Sequence, residues 1–96
     1  MFVILTSYRK PLTEVDRFLG EHREFLQRYY ASGHFLMSGR QEPRTGGVIL
    51  AQAGSQTEIA GILQEDPFQR EGIAEYQIIE FYPTMAAPEL TDLKKA

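Results

Sequence analysis

The chain contains no cysteine among its 96 residues, which excludes disulfide bonds, thiolate catalysis and thiolate-bound metals. Positive charge is also scarce, since the chain has 10 lysines and arginines and 13 acidic residues, and its formal net charge is −3. Binding to a nucleic-acid backbone requires clustered lysine and arginine. We therefore expect no nucleic-acid partner.

Long hydrophobic runs are absent as well. The apolar run from Met1 to Leu5 is too short for a signal peptide and has no basic flank, and no segment is long enough to span a bilayer. We expect no membrane partner and a cytoplasmic location. The two histidines, His22 and His34, lack metal-binding spacing, and Gly46-Gly47 lacks the lysine of a phosphate loop, so we expect no metal and no cofactor.

The residues that are present predict one globular domain over residues 1–83, followed by a tail at 84–96 that holds one short helix. A chain of this length has a modest core, which favours oligomerisation. Apolar and turn-forming residues alternate in a pattern typical of strand, helix, strand, strand, helix, strand. The predicted segments are strands at 2–8, 34–42, 47–53 and 74–82, a helix at 14–32 capped by Thr13, and a helix opened by Ser55 and ended by Asp66-Pro67, with a loop at 68–72.

This βαββαβ order predicts an α+β, ferredoxin-like fold, in which a four-stranded antiparallel sheet carries both helices on one face. Strands one and four have apolar residues at odd and even positions alike. A sheet with one solvated face would alternate cleanly, so a second layer is indicated. We expect the chain to form a homodimer through the other face of the sheet.

The first helix has an apolar stripe that contains one polar residue, His22. Its members at helical spacing are Val15, Phe18, Leu19, His22, Phe25, Leu26 and Tyr29. A buried imidazole needs a partner, so His22 either bonds a backbone carbonyl in the core or lines a cavity. Asp66, at the end of the second helix, also points inward, and it either caps its own turn before Pro67 or orients His22 as a general acid or base.

The sequence resembles the YciI-like (YCII-related) family over residues 2–82. The resemblance is carried by Glu21-His-Arg-Glu-Phe-Leu26, Gly33-His-Phe-Leu-Met-Ser-Gly39, Gly46-Gly47, Asp66-Pro-Phe68 and Gly72. It implies a ferredoxin-like dimer with a cleft between helices and sheet, and a His and Asp active-site pair that corresponds to His22 and Asp66.

The resemblance implies an isomerase or lyase that transfers a proton on a small organic substrate, which the sequence does not identify. The alternative is a non-catalytic dimer that binds a small metabolite or serves as an accessory subunit. Ser38, Gly39 and Arg40 are candidate substrate-binding residues. Many relatives have proline where this chain has Arg40, whose guanidinium either points to solvent or recognises an anionic substrate in the cleft. Ser38 either lines the cleft or bonds the neighbouring strand.

Overall fold

The computed structural model describes residues 1–95, so that Ala96, the last residue of the predicted tail, lies outside the described residues. One sheet of four antiparallel strands runs in the order β2-β3-β1-β4. The strands are β1 (Phe2–Tyr8), β2 (Phe35–Arg40), β3 (Gly47–Ala51) and β4 (Ala74–Glu80). The prediction of an α+β fold with a four-stranded antiparallel sheet is confirmed.

Four α-helices and one 3₁₀ helix complete the described part of the chain. They are α1 (Leu12–Arg17), α2 (Leu19–Ala31), α3 (Gln56–Leu63), α4 (Pro67–Arg70) and the 3₁₀ helix Pro88–Lys95. Across residues 1–95, no helix is both long enough and apolar enough to cross a membrane.

The prediction of one continuous helix over 14–32 is wrong, because the helix is interrupted at Phe18 (φ −103°, ψ 7°). The predicted Thr13 cap is also wrong. The carbonyl oxygen of Pro11 accepts hydrogen bonds from the N–H groups of Glu14 and Val15, so the first turn is already formed around Thr13. The predicted stripe still faces inward, since Val15 and Phe25 are fully buried.

The second helical segment also differs from the prediction. Ser55 caps α3 as predicted, with its Oγ accepting the N–H of Glu58 at 3.1 Å. The loop predicted at 68–72 is partly wrong, because Asp66 caps a further short helix, α4, which has Pro67 in its first turn. Proline fits that position because its missing N–H would have no intrahelical partner there.

The helices pack on one face of the sheet over two clusters of buried side chains. The larger cluster joins α2 and α3 to the middle of the sheet and consists of Phe2, Ile4, Phe25, Phe35, Ile49, Ala51, Ile59, Ile62 and Leu63. The smaller cluster lies under α1 and α4 and consists of Val15, Phe68, Ile73 and Ala74. The interruption at Phe18 thus separates α1, which contributes Val15 to the smaller cluster, from α2, which contributes Phe25 to the larger one.

Strand β2 contains a bulge that sets which of its side chains face the helices. Phe35 pairs with Ala51, whereas Met37 pairs with Leu50, so two steps along β2 match one step along β3. A one-residue shift exchanges the two faces of a strand. Ser38 and Arg40 therefore lie on the helix side, opposite Ile49 and Gly47, and Met37 lies on the open face.

Gly46 lies where the β2–β3 connection passes close to β1, and a Cβ atom there would overlap the carbonyl oxygen of Thr6. We expect Gly46→Ala to lower the free energy of unfolding by about 2–4 kcal/mol, because two backbones must move apart. Gly61→Ala is the matched control, since a Cβ in the middle of α3 meets nothing within 4 Å. That change should raise stability by about 0.5–1 kcal/mol in urea denaturation. Equal stability of Gly46→Ala and the wild type would contradict this account.

Candidate active site

The structure brings His22 and Asp66 together, although 44 positions separate them in the chain. His22 lies in the first turn of α2, and Asp66 is the N-cap of α4. The Nδ1 atom of His22 is 2.9 Å from Oδ1 of Asp66. The contact between helices α2 and α4 thus holds an imidazole against a carboxylate.

Asp66 is fully buried, and its carboxylate has three hydrogen-bond partners. Oδ1 accepts the backbone N–H of Phe68 at 3.0 Å and faces Nδ1 of His22, while Oδ2 accepts the hydroxyl of Tyr76. Donors on both oxygens match an ionised carboxylate, which has no proton to give. Nδ1 of His22 therefore carries the ring hydrogen, and Nε2 has a free lone pair.

The free nitrogen of His22 faces a cavity. The side chain of His22 is 15% exposed and lines a cleft of about 420 Å³ between the helices and the sheet. Among the residues that the structure describes, every buried side-chain nitrogen and oxygen has a hydrogen-bond partner, and Nε2 has none. Nε2 is therefore accessible from the cleft and available to a bound molecule.

Phe68 fixes the plane of the imidazole. Its ring stacks on His22 with a centroid separation of 4.1 Å and an interplanar angle of 3°. Phe25 lies on another side of His22, at 6.3 Å between centroids. Since Phe25 belongs to the larger core cluster and Phe68 to the smaller one, His22 occupies the junction between them. Packing against two cores limits the rotation of the ring.

The three candidate substrate-binding residues of β2 all line the cleft. The hydroxyl of Ser38 is already hydrogen-bonded to that of Tyr30 in α2, and Gly39 contributes only backbone. Arg40 lies on the helix side of the sheet because of the bulge in β2 and is among the residues that line the cleft. Of the three, only Arg40 offers the cleft a charged side chain.

The second histidine, His34, lies in a different place. Its Nδ1 is 2.7 Å from Oγ of Ser32 and its Nε2 is 2.8 Å from Oε1 of Glu58. Although these residue types resemble a hydrolase triad, Ser32 is the C-cap of α2, where the partial negative charge of the helix end opposes formation of an oxyanion. We interpret this group as a structural link between the end of α2 and α3.

Tyr76 was not predicted as a site residue. It faces the helices from β4, opposite Thr6 of β1, and its hydroxyl reaches the buried carboxylate. The sequence of β4 has apolar residues on both faces and does not show which face meets the helices, and the polar group that Tyr76 contacts depends on the position of α4. Phe68 lies within the Asp66-Pro-Phe68 segment, yet its stacking on His22 depends equally on the contact between two helices.

The described residues contain no group of three or more histidine, aspartate and glutamate side chains that could hold a metal ion. The geometry offers an oriented imidazole beside a small cavity. Such an arrangement suits general acid–base catalysis.

A family model for the YCII-related domain matches residues 1–82. The chain therefore belongs to the YCII-related family. Among proteins of curated function, none matches the sequence.

Among solved structures, the chain is similar to 5-chloro-2-hydroxyhydroquinone dehydrochlorinase (TftG) from Burkholderia phenoliruptrix AC1100, in complex with 2,5-dihydroxybenzoquinone. The TM-score is 0.70 with 17% sequence identity, and the match covers 84% of this chain and 93% of that chain. At this identity the likeness shows a shared fold.

The hydrogen bond from Tyr76 to Asp66 has a measurable consequence for pH dependence. Burial, the charge of Asp66 and the hydrogen bond to it raise the pKa of Tyr76 far above its usual value. The folded protein therefore keeps this proton at a pH where the unfolded chain loses it. Its contribution to stability is fully present below the unfolded pKa of about 10 and declines as pH rises beyond that value.

We expect Tyr76→Phe to leave the rise in tyrosinate absorbance between about pH 9 and 11 unchanged, because Tyr76 does not ionise in the folded state. Tyr82→Phe, at a position that is 76% exposed, is the control variant and should leave the free energy of unfolding nearly unchanged. In urea denaturation at neutral pH, Tyr76→Phe should cost about 1–3 kcal/mol, since an oxygen of a buried carboxylate loses its donor. A smaller absorbance change in Tyr76→Phe would contradict the raised pKa.

Proposed function

We propose that this protein is a small-molecule enzyme of the lyase or isomerase type, in which Nε2 of His22 removes a proton from a carbon next to a carbonyl group. The observation that carries the proposal is the 2.9 Å contact between His22 and a fully buried Asp66, with the remaining ring nitrogen open to the cleft. A base needs a lone pair, a fixed direction and room for its substrate. His22 has all three.

The proposed reaction starts when the C–H bond of the substrate breaks and the proton moves to Nε2 of His22. The electron pair shifts to the carbonyl oxygen and forms an enolate. In an elimination, the enolate re-forms the carbonyl and expels a leaving group with its electron pair from the next carbon. In an isomerisation, the imidazolium returns the proton to a different carbon.

Asp66 is a positioning residue in this scheme. Its carboxylate holds Nδ1–H of His22 and stabilises the positive charge that the ring acquires with the proton. Because the hydroxyl of Tyr76 and the N–H of Phe68 also bind this carboxylate, Asp66 does not need to move during the reaction. Proton transfer then requires little reorganisation.

The similar solved structure supports a lyase reaction. Its name, a dehydrochlorinase, describes an elimination, and its bound ligand is a small planar carbonyl compound. The cleft of about 420 Å³ is at the lower end of the size range of small-molecule sites, about 300–1,000 Å³. A substrate of one ring or a short chain fits this volume.

Proton abstraction can be tested before the substrate is known. We expect the wild-type protein in D₂O to convert, or to label with one deuterium, at least one compound of a panel of small carbonyl compounds that includes 2,5-dihydroxybenzoquinone and chlorinated hydroxyquinones. Mass spectrometry detects both events. His22→Asn should lower the rate at least about 1,000-fold, and Asp66→Asn about 100-fold or more, because the base is removed or misdirected.

Two controls separate catalysis from binding. His34→Asn changes the other histidine, outside the cleft, and should leave the rate unchanged. Melting temperatures identify any variant that has lost its fold. If compounds bind to the cleft and no member of a broad panel is labelled or converted, the alternative holds, in which the protein is a non-catalytic metabolite-binding or accessory module.

We also propose that the chain is a ferredoxin-like domain over residues 1–83 and that two copies associate through the open face of the sheet. The strand order β2-β3-β1-β4 and the position of both long helices on one face support this topology. Large apolar side chains are exposed on the open face, with Met37 at 66%, Ile79 at 40% and Phe81 at 38%. A second copy would remove this apolar surface from water.

Ile79→Lys should convert the dimer to a monomer, because two lysine side chains would be buried in an apolar interface. Size-exclusion chromatography with light scattering at micromolar concentration should give twice the mass of one chain for the wild type and the mass of one chain for the variant. Gln64→Lys, at the exposed C-cap of α3, is the matched control and should stay dimeric. A wild-type monomer under these conditions would rule out the dimer.

A further inference from the structure

The cleft is positively charged although the chain as a whole is negative. Arg23, Arg40 and Arg44 line it together with one carboxylate, that of Asp16, while the chain carries a formal net charge of −3. Acidic residues are more numerous than basic ones in the sequence. The local excess of guanidinium groups therefore comes from the fold, which brings residues of α2, the end of β2 and the β2–β3 connection to one place.

One of these three charges is already balanced. The guanidinium of Arg44 lies 2.5 Å from a carboxylate oxygen of Asp16, so this pair contributes little net charge to the cleft. Within the part of the chain that the structure describes, Arg23 and Arg40 have no carboxylate within 4.0 Å. Two arginines that line the cleft thus have no carboxylate counter-charge.

The two arginines approach the cleft from different walls. Arg40 comes from the sheet, on the helix side because of the bulge in β2, and Arg23 follows His22 directly in α2. A guanidinium presents a planar set of donors that matches the two oxygens of a carboxylate. The rest of the lining includes the apolar side chains of Leu19, Leu26 and Phe68.

We propose that the substrate is a small organic carboxylate, with its carboxylate group bound by Arg40 and Arg23 and its apolar body against the leucines and Phe68. This inference rests on the proposed function, since the same molecule places its acidic carbon at Nε2 of His22. The arginines supply binding and orientation, and their charge also stabilises the enolate that forms when the proton leaves. Arg40 is then a specificity-determining residue.

The test uses a panel of single-ring and short-chain carboxylic acids, each paired with its neutral amide, such as benzoate with benzamide. Binding to the full-length protein is measured by isothermal titration calorimetry. We expect at least one acid to bind roughly tenfold or more tightly than its amide, because only the acid carries the charge that the guanidinium groups pair with. Arg40→Gln and Arg23→Gln should each weaken the acid roughly tenfold and leave the amide unchanged.

Arg17→Gln is the matched control, because it removes the same charge from an exposed position in α1 that does not line the cleft. It should leave the binding of the acid unchanged. If every acid binds no better than its amide, or if Arg17→Gln weakens the acid as much as Arg40→Gln does, the carboxylate site is wrong.

The same variants separate this inference from the proposed function. His22→Asn should abolish deuterium labelling and keep the preference for the acid over the amide. Preference for the acid without any labelling would overturn the proton-transfer function and uphold the carboxylate site. Labelling that proceeds equally well on neutral compounds, and equally well in Arg40→Gln, would uphold the function and overturn the carboxylate site.

Discussion

The burial of one negative charge, that of Asp66, is the constraint on which the site depends. A carboxylate without water is stable only when its oxygens accept hydrogen bonds. The three donors come from α2, from the backbone of α4 and from β4, so these elements must meet at one point. The same requirement that positions the elements also fixes the direction of the imidazole.

The two members of the pair lie in different surroundings. Asp66 is buried in the core, whereas His22 lies between the core and the cleft. Its Nδ1 atom faces Asp66 and its Nε2 atom faces the cleft. The hydrogen bond to Asp66 restricts the orientation of the imidazole, and the stacked ring of Phe68 restricts it further by steric contact. As the base of the proposed reaction, an imidazole held in this way would spend little free energy on orientation when a substrate binds.

Much of the fold follows from local patterns. The succession of apolar and turn-forming segments predicted the sheet, and the Ser55 cap predicted the start of α3. The stripe of the first helix predicted that His22 faces inward. The interruption at Phe18 did not follow, since the apolar spacing continues through it. For Asp66, capping a turn and bonding His22 appeared to be alternatives, and the carboxylate does both. Tyr76 and the cluster of arginines depend on contacts between distant segments, which no local pattern encodes.

The extra residue in β2 links the two faces of the sheet. Without it, regular alternation would turn Arg40 and Ser38 toward the open face and Met37 toward the helices. The cleft would then lose the charge of Arg40, and the open face would lose the apolar side chain of Met37, in a single step. A one-residue insertion or deletion in this strand is therefore a much larger evolutionary change than a substitution at either face, whereas exchange of Arg40 alone changes one residue of the cleft lining and leaves the open face as it is.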